Sequence, residues 1–153
     1  MIHSPQGKHL SYSLTAAGCL SALAGLLHLG CIYYGAPWYR FFGAGEHMAN
    51  MAAKGMMQPT IITLMITGVL FAWAMFAFSG AGLIKRLPLV RLALVAISCV
   101  YLVRGAAGFY FVNSPMGRSP EFWVWSSAIC LVIGLLHLAG LKQQWLALKV
   151  KAS

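Results

Sequence analysis

Four side chains hold most of the chemistry this chain can offer: His28, Glu46, His47 and Arg104. Arg104 is the most informative, because it interrupts the apolar run from about Leu87 to Val112 some eight positions from the end of that run, roughly 12 Å along a helix. An arginine at such depth in a membrane costs about 2.5–3.5 kcal/mol and faces a bundle interior or water. Arg104 therefore calls for a partner, an acidic side chain or the anionic group of a ligand, the alternative being that it snorkels outward to phosphate headgroups. Glu46 is the expected balancing carboxylate when no ligand is present. His28 falls at a depth similar to that of Arg104, so the two are expected to line one polar pocket. His47, beside Glu46, supplies a general acid or base. The stretch Glu46-His47-Met48-Ala49-Asn50-Met51 also combines an imidazole with thioethers, ligand types that suit Cu(I), through His47, Met48 and Met51. Against that reading, methionine is an ordinary apolar filler.

Other candidate features carry bland readings. The pentapeptide Gly-Leu-Leu-His-Leu occurs at 25–29 and at 134–138, but His28 and His137 fall at depths differing by roughly 10 Å, too far apart to ligate one haem iron. His137 reads as a hydrogen-bonded interior residue. Cys19, Cys31, Cys99 and Cys130 form no Cys-x-x-Cys pair, which argues against thiol-disulfide exchange and zinc binding. No glycine loop for phosphate and no Ser-His-acid set is present.

The elements that must position these residues are helices in a membrane. Of 153 residues 60% are hydrophobic and only 8% charged, against about a quarter charged in a soluble domain. Eleven Lys and Arg against two Asp and Glu give a formal charge of +9, yet these charges sit between apolar runs and form no basic face, so nucleic acid is not the expected partner. Four runs reach the roughly 20 residues that cross about 30 Å of hydrocarbon. They cover 12–35, 59–84, 87–112 and 122–141. The first is too long for a secretory h-region and reads as a retained span. Lys8, Lys85, Arg86, Arg91, Lys142, Lys149 and Lys151 fall on one side, and Arg40, Lys54 and Arg118 on the other. The positive-inside rule then puts both termini in the cytoplasm, in a pattern that suits a bacterial inner membrane. Tyr33, Tyr34, Trp38, Tyr39, Tyr110, Trp123 and Trp125 mark the outer interface, and Tyr12 and Trp145 the inner one.

The connections refine this picture. Lys85-Arg86-Leu87-Pro88 is a short basic turn that makes spans two and three antiparallel neighbours. Between spans three and four, Ser119 is placed to cap a helix with Pro120 at its first position and Glu121 in its first turn. The connection from Ala36 to Gln58 is longer than a turn needs. Within it, 44–57 has an amphipathic helical pattern, with Glu46, Asn50 and Lys54 on one side and Met48, Met51, Ala52 and Met56 on the other. It reads equally as a helix on the outer interface or as a re-entrant segment. Small residues Gly18, Ala22 and Gly25 in the first span and Gly105 and Gly108 in the third allow close helix approach.

The expected fold is all-α: a single membrane domain over 1–153, a four-helix antiparallel bundle with one additional amphipathic helix. Three classes of function fit it. The first is a binder or transporter of a small or lipid-like anionic ligand in an outward-facing pocket made by Glu46, His47, Arg104 and His28. The second is an accessory subunit that contacts other membrane chains, or a second copy of itself, through Met48 and Met51. The third is an intramembrane acid/base enzyme using Glu46 or His47 on a lipid-soluble substrate.

Overall fold

A computed structural model describes residues 10–113 and 118–148. Lys8, Lys149 and Lys151, and the Ser114-to-Gly117 part of the third connection, lie outside the described residues. The molecule is all-helical, with no strand among the described residues. In chain order the helices are α1 (Tyr12–Tyr34), α2 (Ala36–Phe41), α3 (Glu46–Ala53), α4 (Met57–Ala81), α5 (Val90–Tyr110) and α6 (Pro120–Gln144), with a 3₁₀ turn at Phe111–Asn113 after α5. Four of them, α1, α4, α5 with its 3₁₀ turn, and α6, are long and apolar enough to cross a membrane. Large side chains such as Leu64, Met65, Val103, Ile129 and Val132 point outward along them, the all-round apolar surface of helices solvated by lipid. This is the architecture of an integral membrane protein.

Local chemistry sets the helix ends. Ser11 caps α1, its hydroxyl accepting from the Leu14 N–H. Ser119 does the same for α6 by accepting from Phe122, with Pro120 and Glu121 in the first turn, as the sequence predicts. Helix α4 stops three residues earlier than the apolar run, because Gly82 takes a left-handed φ of 83° and Leu83 N–H returns to the Phe78 carbonyl at 3.0 Å. Ser79 then organises the basic turn. Its hydroxyl accepts from Leu87 N–H at 2.8 Å and donates to the Lys85 carbonyl at 3.3 Å. The first connection holds two helices where the sequence indicated one. Gly35, at φ 70°, ends α1, and Pro37 in the first turn of α2 restarts the chain. Helix α3 is shorter than the amphipathic pattern, since Gly55 at φ 70° separates it from α4.

The bundle is two tight helical hairpins packed against each other. In the α1–α4 pair, Gly18 lies against Phe78 and Gly25 against Phe71; in the α5–α6 pair, Gly105 lies against Leu131 and Gly134 against Leu102 and Tyr101. The small residues of the first and third spans do admit close packing, but each set receives its own hairpin partner. The hairpins meet where α1 begins and α6 finishes, hereafter the near end. There Ser11 donates to Gln143 at 3.2 Å, Leu14 fills the spaces left by Gly140 and Gly80, and Leu94 also packs on Gly80. Leu14, Leu94 and Val90 are buried in this core.

At the opposite, far end, α2 and α3 fold back over the bundle. Tyr39 is buried and its hydroxyl is 3.0 Å from that of Thr63 on α4. Gly43 packs on Phe122 of α6. Cys31, Tyr39 and Ala49 form a small second core onto which Met48 packs, and Met51 is buried as well. The methionine side of α3 therefore faces the protein.

The glycine contacts give a stability contrast. A Cβ at Gly140 would stand 2.9 Å from the Leu14 backbone nitrogen, whereas one at Gly68 meets nothing within 4 Å. Gly140→Val should destabilise the bundle by about 1–3 kcal/mol, and Gly68→Ala should be neutral or stabilising by up to about 1 kcal/mol. Thermal unfolding in detergent, followed by circular dichroism, measures both.

Candidate oxyanion site

The close α5–α6 seam presents the candidate site. Helices α5 and α6 touch across Gly105 and Gly108, and a Cβ at Gly108 would collide with the Ser127 hydroxyl and stand 2.8 Å from Arg104 Nη1. Without those side chains the Arg104 guanidinium can lie along the seam toward the far end. Its Nη2 donates to Ser126 Oγ at 3.3 Å. Its Cζ lies 5.2 Å from the centroid of the buried Trp123 ring. Its Nη1 is buried with no hydrogen-bond partner, as is the nearby Ser127 Oγ.

Arg118 closes the site from the chain just before α6. Its Cζ is 5.6 Å from the same Trp123 ring and 5.0 Å from that of Phe122. Burial, and then the Arg104 guanidinium, pull Arg118 below the ordinary arginine range. Arg118 nevertheless remains cationic at physiological pH. Two guanidiniums, two serine hydroxyls and an indole face thus share one region, with no carboxylate pairing with them among the described residues. Among the described residues the ion pair that forms is elsewhere.

That ion pair is the main correction to the expected pocket. Glu46 binds Arg40, with Arg40 Nε 3.1 and 3.2 Å from its two carboxylate oxygens, and Arg40 Nη2 also donates to Asn50 Oδ1 at 3.0 Å. The physical reason is proximity in the chain. Arg40 ends α2 and Glu46 begins α3, so only a six-residue separation must be closed, and the pair stays in the exposed layer instead of entering the bundle. Arg104 is left without a carboxylate. His47 is likewise exposed. His28 is half-buried on α1, and its Nδ1–H donates to the Ala24 carbonyl at 2.7 Å.

His137 behaves as an interior residue. It is fully buried, its Nδ1–H donates to the Ile133 carbonyl at 2.9 Å, and Nε2 has no partner. The two copies of Gly-Leu-Leu-His-Leu therefore share one local bond to the carbonyl four residues earlier. The His137 ring stacks on Tyr101 with centroids 5.5 Å apart. Tyr101 in turn meets Trp73 edge-on at 5.0 Å and shares a 2.9 Å hydrogen bond with Ser21. These four side chains tie α1, α4, α5 and α6 together in mid-bundle. Cys19, Cys31, Cys99 and Cys130 are all free thiols.

Sequence reasoning singled out Arg104 but missed Ser126 and Ser127, and it took Trp123 and Arg118 for interface and topology markers. A Ser-Ser pair inside an apolar span was the available clue. Comparison with protein-family models, with curated proteins and with solved structures finds no match for the chain, so its own residues carry the functional argument.

An unneutralised, half-buried guanidinium weakens a fold that has nothing bound to it. Arg104→Met, which keeps the length and removes the charge, should therefore leave the delipidated protein as stable as the parent or about 1–2 kcal/mol more stable. Arg40→Ala should change stability by less than about 1 kcal/mol, because its pair is exposed. Thermal unfolding in non-ionic detergent measures both.

Proposed function

We propose that this protein binds, within the membrane, the oxyanion of a small or lipid-like acidic molecule, with Arg104 as the principal contact. The observation that supports this reading is the buried, unpartnered Arg104 Nη1 beside the unpartnered Ser127 Oγ. A buried donor without an acceptor costs roughly 1–3 kcal/mol, and more when it is charged. A carboxylate or phosphate oxygen satisfies both donors at once, and a guanidinium is the side chain best shaped to hold such a group. Arg118 adds attraction, and the Trp123 face forms an apolar wall. His28, Glu46 and His47 play no direct part in this contact. Glu46 holds α2 to α3 through Arg40, which keeps the cover over the far end in place.

Orientation follows from charge. Lys85, Arg86, Arg91 and Lys142 lie at the near end, and Arg40, Lys54 and Arg118 at the far end, and the sequence adds Lys8, Lys149 and Lys151 beyond the near-end termini of α1 and α6. On the positive-inside rule the near end is cytoplasmic, and the oxyanion site lies in the half of the bundle toward the outer face of a bacterial inner membrane.

Equilibrium dialysis of oleate against the protein in non-ionic micelles tests the reading. The parent should bind one oleate per site. Arg104→Met should lose at least about tenfold in affinity, as expected for a charge-assisted hydrogen bond, and Ser127→Ala should lose less. Glu46→Gln should bind like the parent. Competition by inorganic phosphate would identify a small anion as the preferred class, and its absence a lipid-like one. Equal binding of both probes by parent and Arg104→Met would overturn the proposal.

A further inference from the structure

The near end carries a second feature that the oxyanion site does not use. A groove of about 470 Å³ runs along the outside of the α5–α6 pair, lined among others by Val95, Cys99, Leu102, Leu138, Lys142 and Trp145. Its near-end rim is cationic. Arg91, one turn before Val95, lays its guanidinium over Trp145 with Cζ 3.3 Å from the ring centroid. Arg86 reaches from the α4–α5 turn to the Ala147 carbonyl at 3.0 Å. Lys142 is exposed on α6. Both acids of the chain, Glu46 and Glu121, belong to the far end, so nothing acidic in the sequence between α4 and α5 or along the last turns of α6 offsets these charges.

The dimensions match one leaflet of a bilayer. From Arg91 to Leu102 the helix advances eleven residues, about 16 Å at 1.5 Å per residue, which is close to half of a hydrocarbon core of about 30 Å. Trp145 caps the C-terminus of α6, and indole rings favour the headgroup region. Beyond the rim the groove is apolar, because the Ser98 hydroxyl that lines it is turned onto the Leu94 carbonyl at 2.7 Å. A headgroup site and an acyl-chain site are thus continuous.

We infer that the α5–α6 groove at the near end is a binding site for one anionic diacyl phospholipid, its phosphate held by Arg91 and Lys142 beside Trp145 and one acyl chain laid along Val95, Cys99, Leu102 and Leu138. The charge of the rim selects an anionic headgroup over a zwitterionic one. The apolar run makes the ligand a lipid and not a free phosphate. Basic clusters between membrane helices on the cytoplasmic side are where such headgroups bind. This site is separate from Arg104, and its occupancy does not depend on the oxyanion reading.

The test is native mass spectrometry of the protein reconstituted in an equimolar mixture of dioleoylphosphatidylcholine and dioleoylphosphatidylglycerol and released gently. The unmodified chain should retain one phosphatidylglycerol in preference to phosphatidylcholine. The double variant Arg91→Gln/Lys142→Gln should reduce that retention by about tenfold or more. Cys99→Trp, which fills the exposed groove and leaves the charges intact, should reduce it as well, whereas Lys54→Gln, which removes an exposed far-end cation outside both sites, should not. Circular dichroism confirms that each variant is folded before it is compared. Equal retention of both lipids by the unmodified chain, or undiminished phosphatidylglycerol on the folded double variant, would overturn the inference.

Discussion

One electrostatic constraint dominates the bundle. A guanidinium lies in the α5–α6 seam with one of its nitrogens out of reach of solvent and of every acceptor in the described structure. Charge transferred from water into such a place is costly unless something of opposite sign comes with it. The chain has two carboxylate side chains in all. One is neutralised by Arg40 in the exposed far-end cover, and the other begins α6. The glycines at 105 and 108 bring the two helices close enough to strip water from the arginine, and the two serines on α6 present hydroxyls at the same level. Packing that tight around an unneutralised charge is stabilising only when an anion completes it.

The rest of the fold keeps that seam in place. Each hairpin is held internally by glycines set against aromatic or leucine side chains. The two hairpins are then joined at the near end by Leu14, Leu94 and the Ser11–Gln143 bond. In mid-bundle the Ser21–Tyr101–His137 group with Trp73 provides the polar tie. In a membrane, where no hydrophobic force draws helices together, such packing and interhelical hydrogen bonds supply the association. Toward the far end the cover of α2 and α3 takes over, through Tyr39 and Thr63 and through Gly43 against Phe122. The cover packs on α1 and α4 and reaches α6 through Gly43 against Phe122.

Much of this was legible in the residues alone, and the remainder was hidden for definite reasons. Length and hydropathy fix the four long helices, and the Ser119-Pro120-Glu121 cap is read directly because capping is local chemistry. The break at Gly35 and the restart at Pro37 were also present in the sequence, but the amphipathic pattern that follows masked them. The partner of Glu46 was misread for a different reason. Depth along a helix says that Arg104 needs an anion, but not which chain segment comes near, and the competing cation six residues before Glu46 needs far less loop closure. Ser126 and Ser127 escaped notice because a serine in an apolar span usually bonds to its own helix, as Ser98 does. Only the helix pairing shows that Ser127 faces Gly108 across the seam. His137 was read correctly as an interior group, while its stacking on Tyr101 depends on the register of α5 against α6, which composition does not set.

The most direct test of the central claim is native mass spectrometry of the protein released gently from its own membrane, with fragmentation of whatever remains bound. Apart from any phospholipid lost with Arg91→Gln/Lys142→Gln, the chain should carry a discrete acidic molecule that is absent when Arg104 is replaced by Met and present when Glu46 is replaced by Gln. A parent chain that emerges with no acidic molecule, or one whose bound mass is the same with and without the guanidinium, would contradict it.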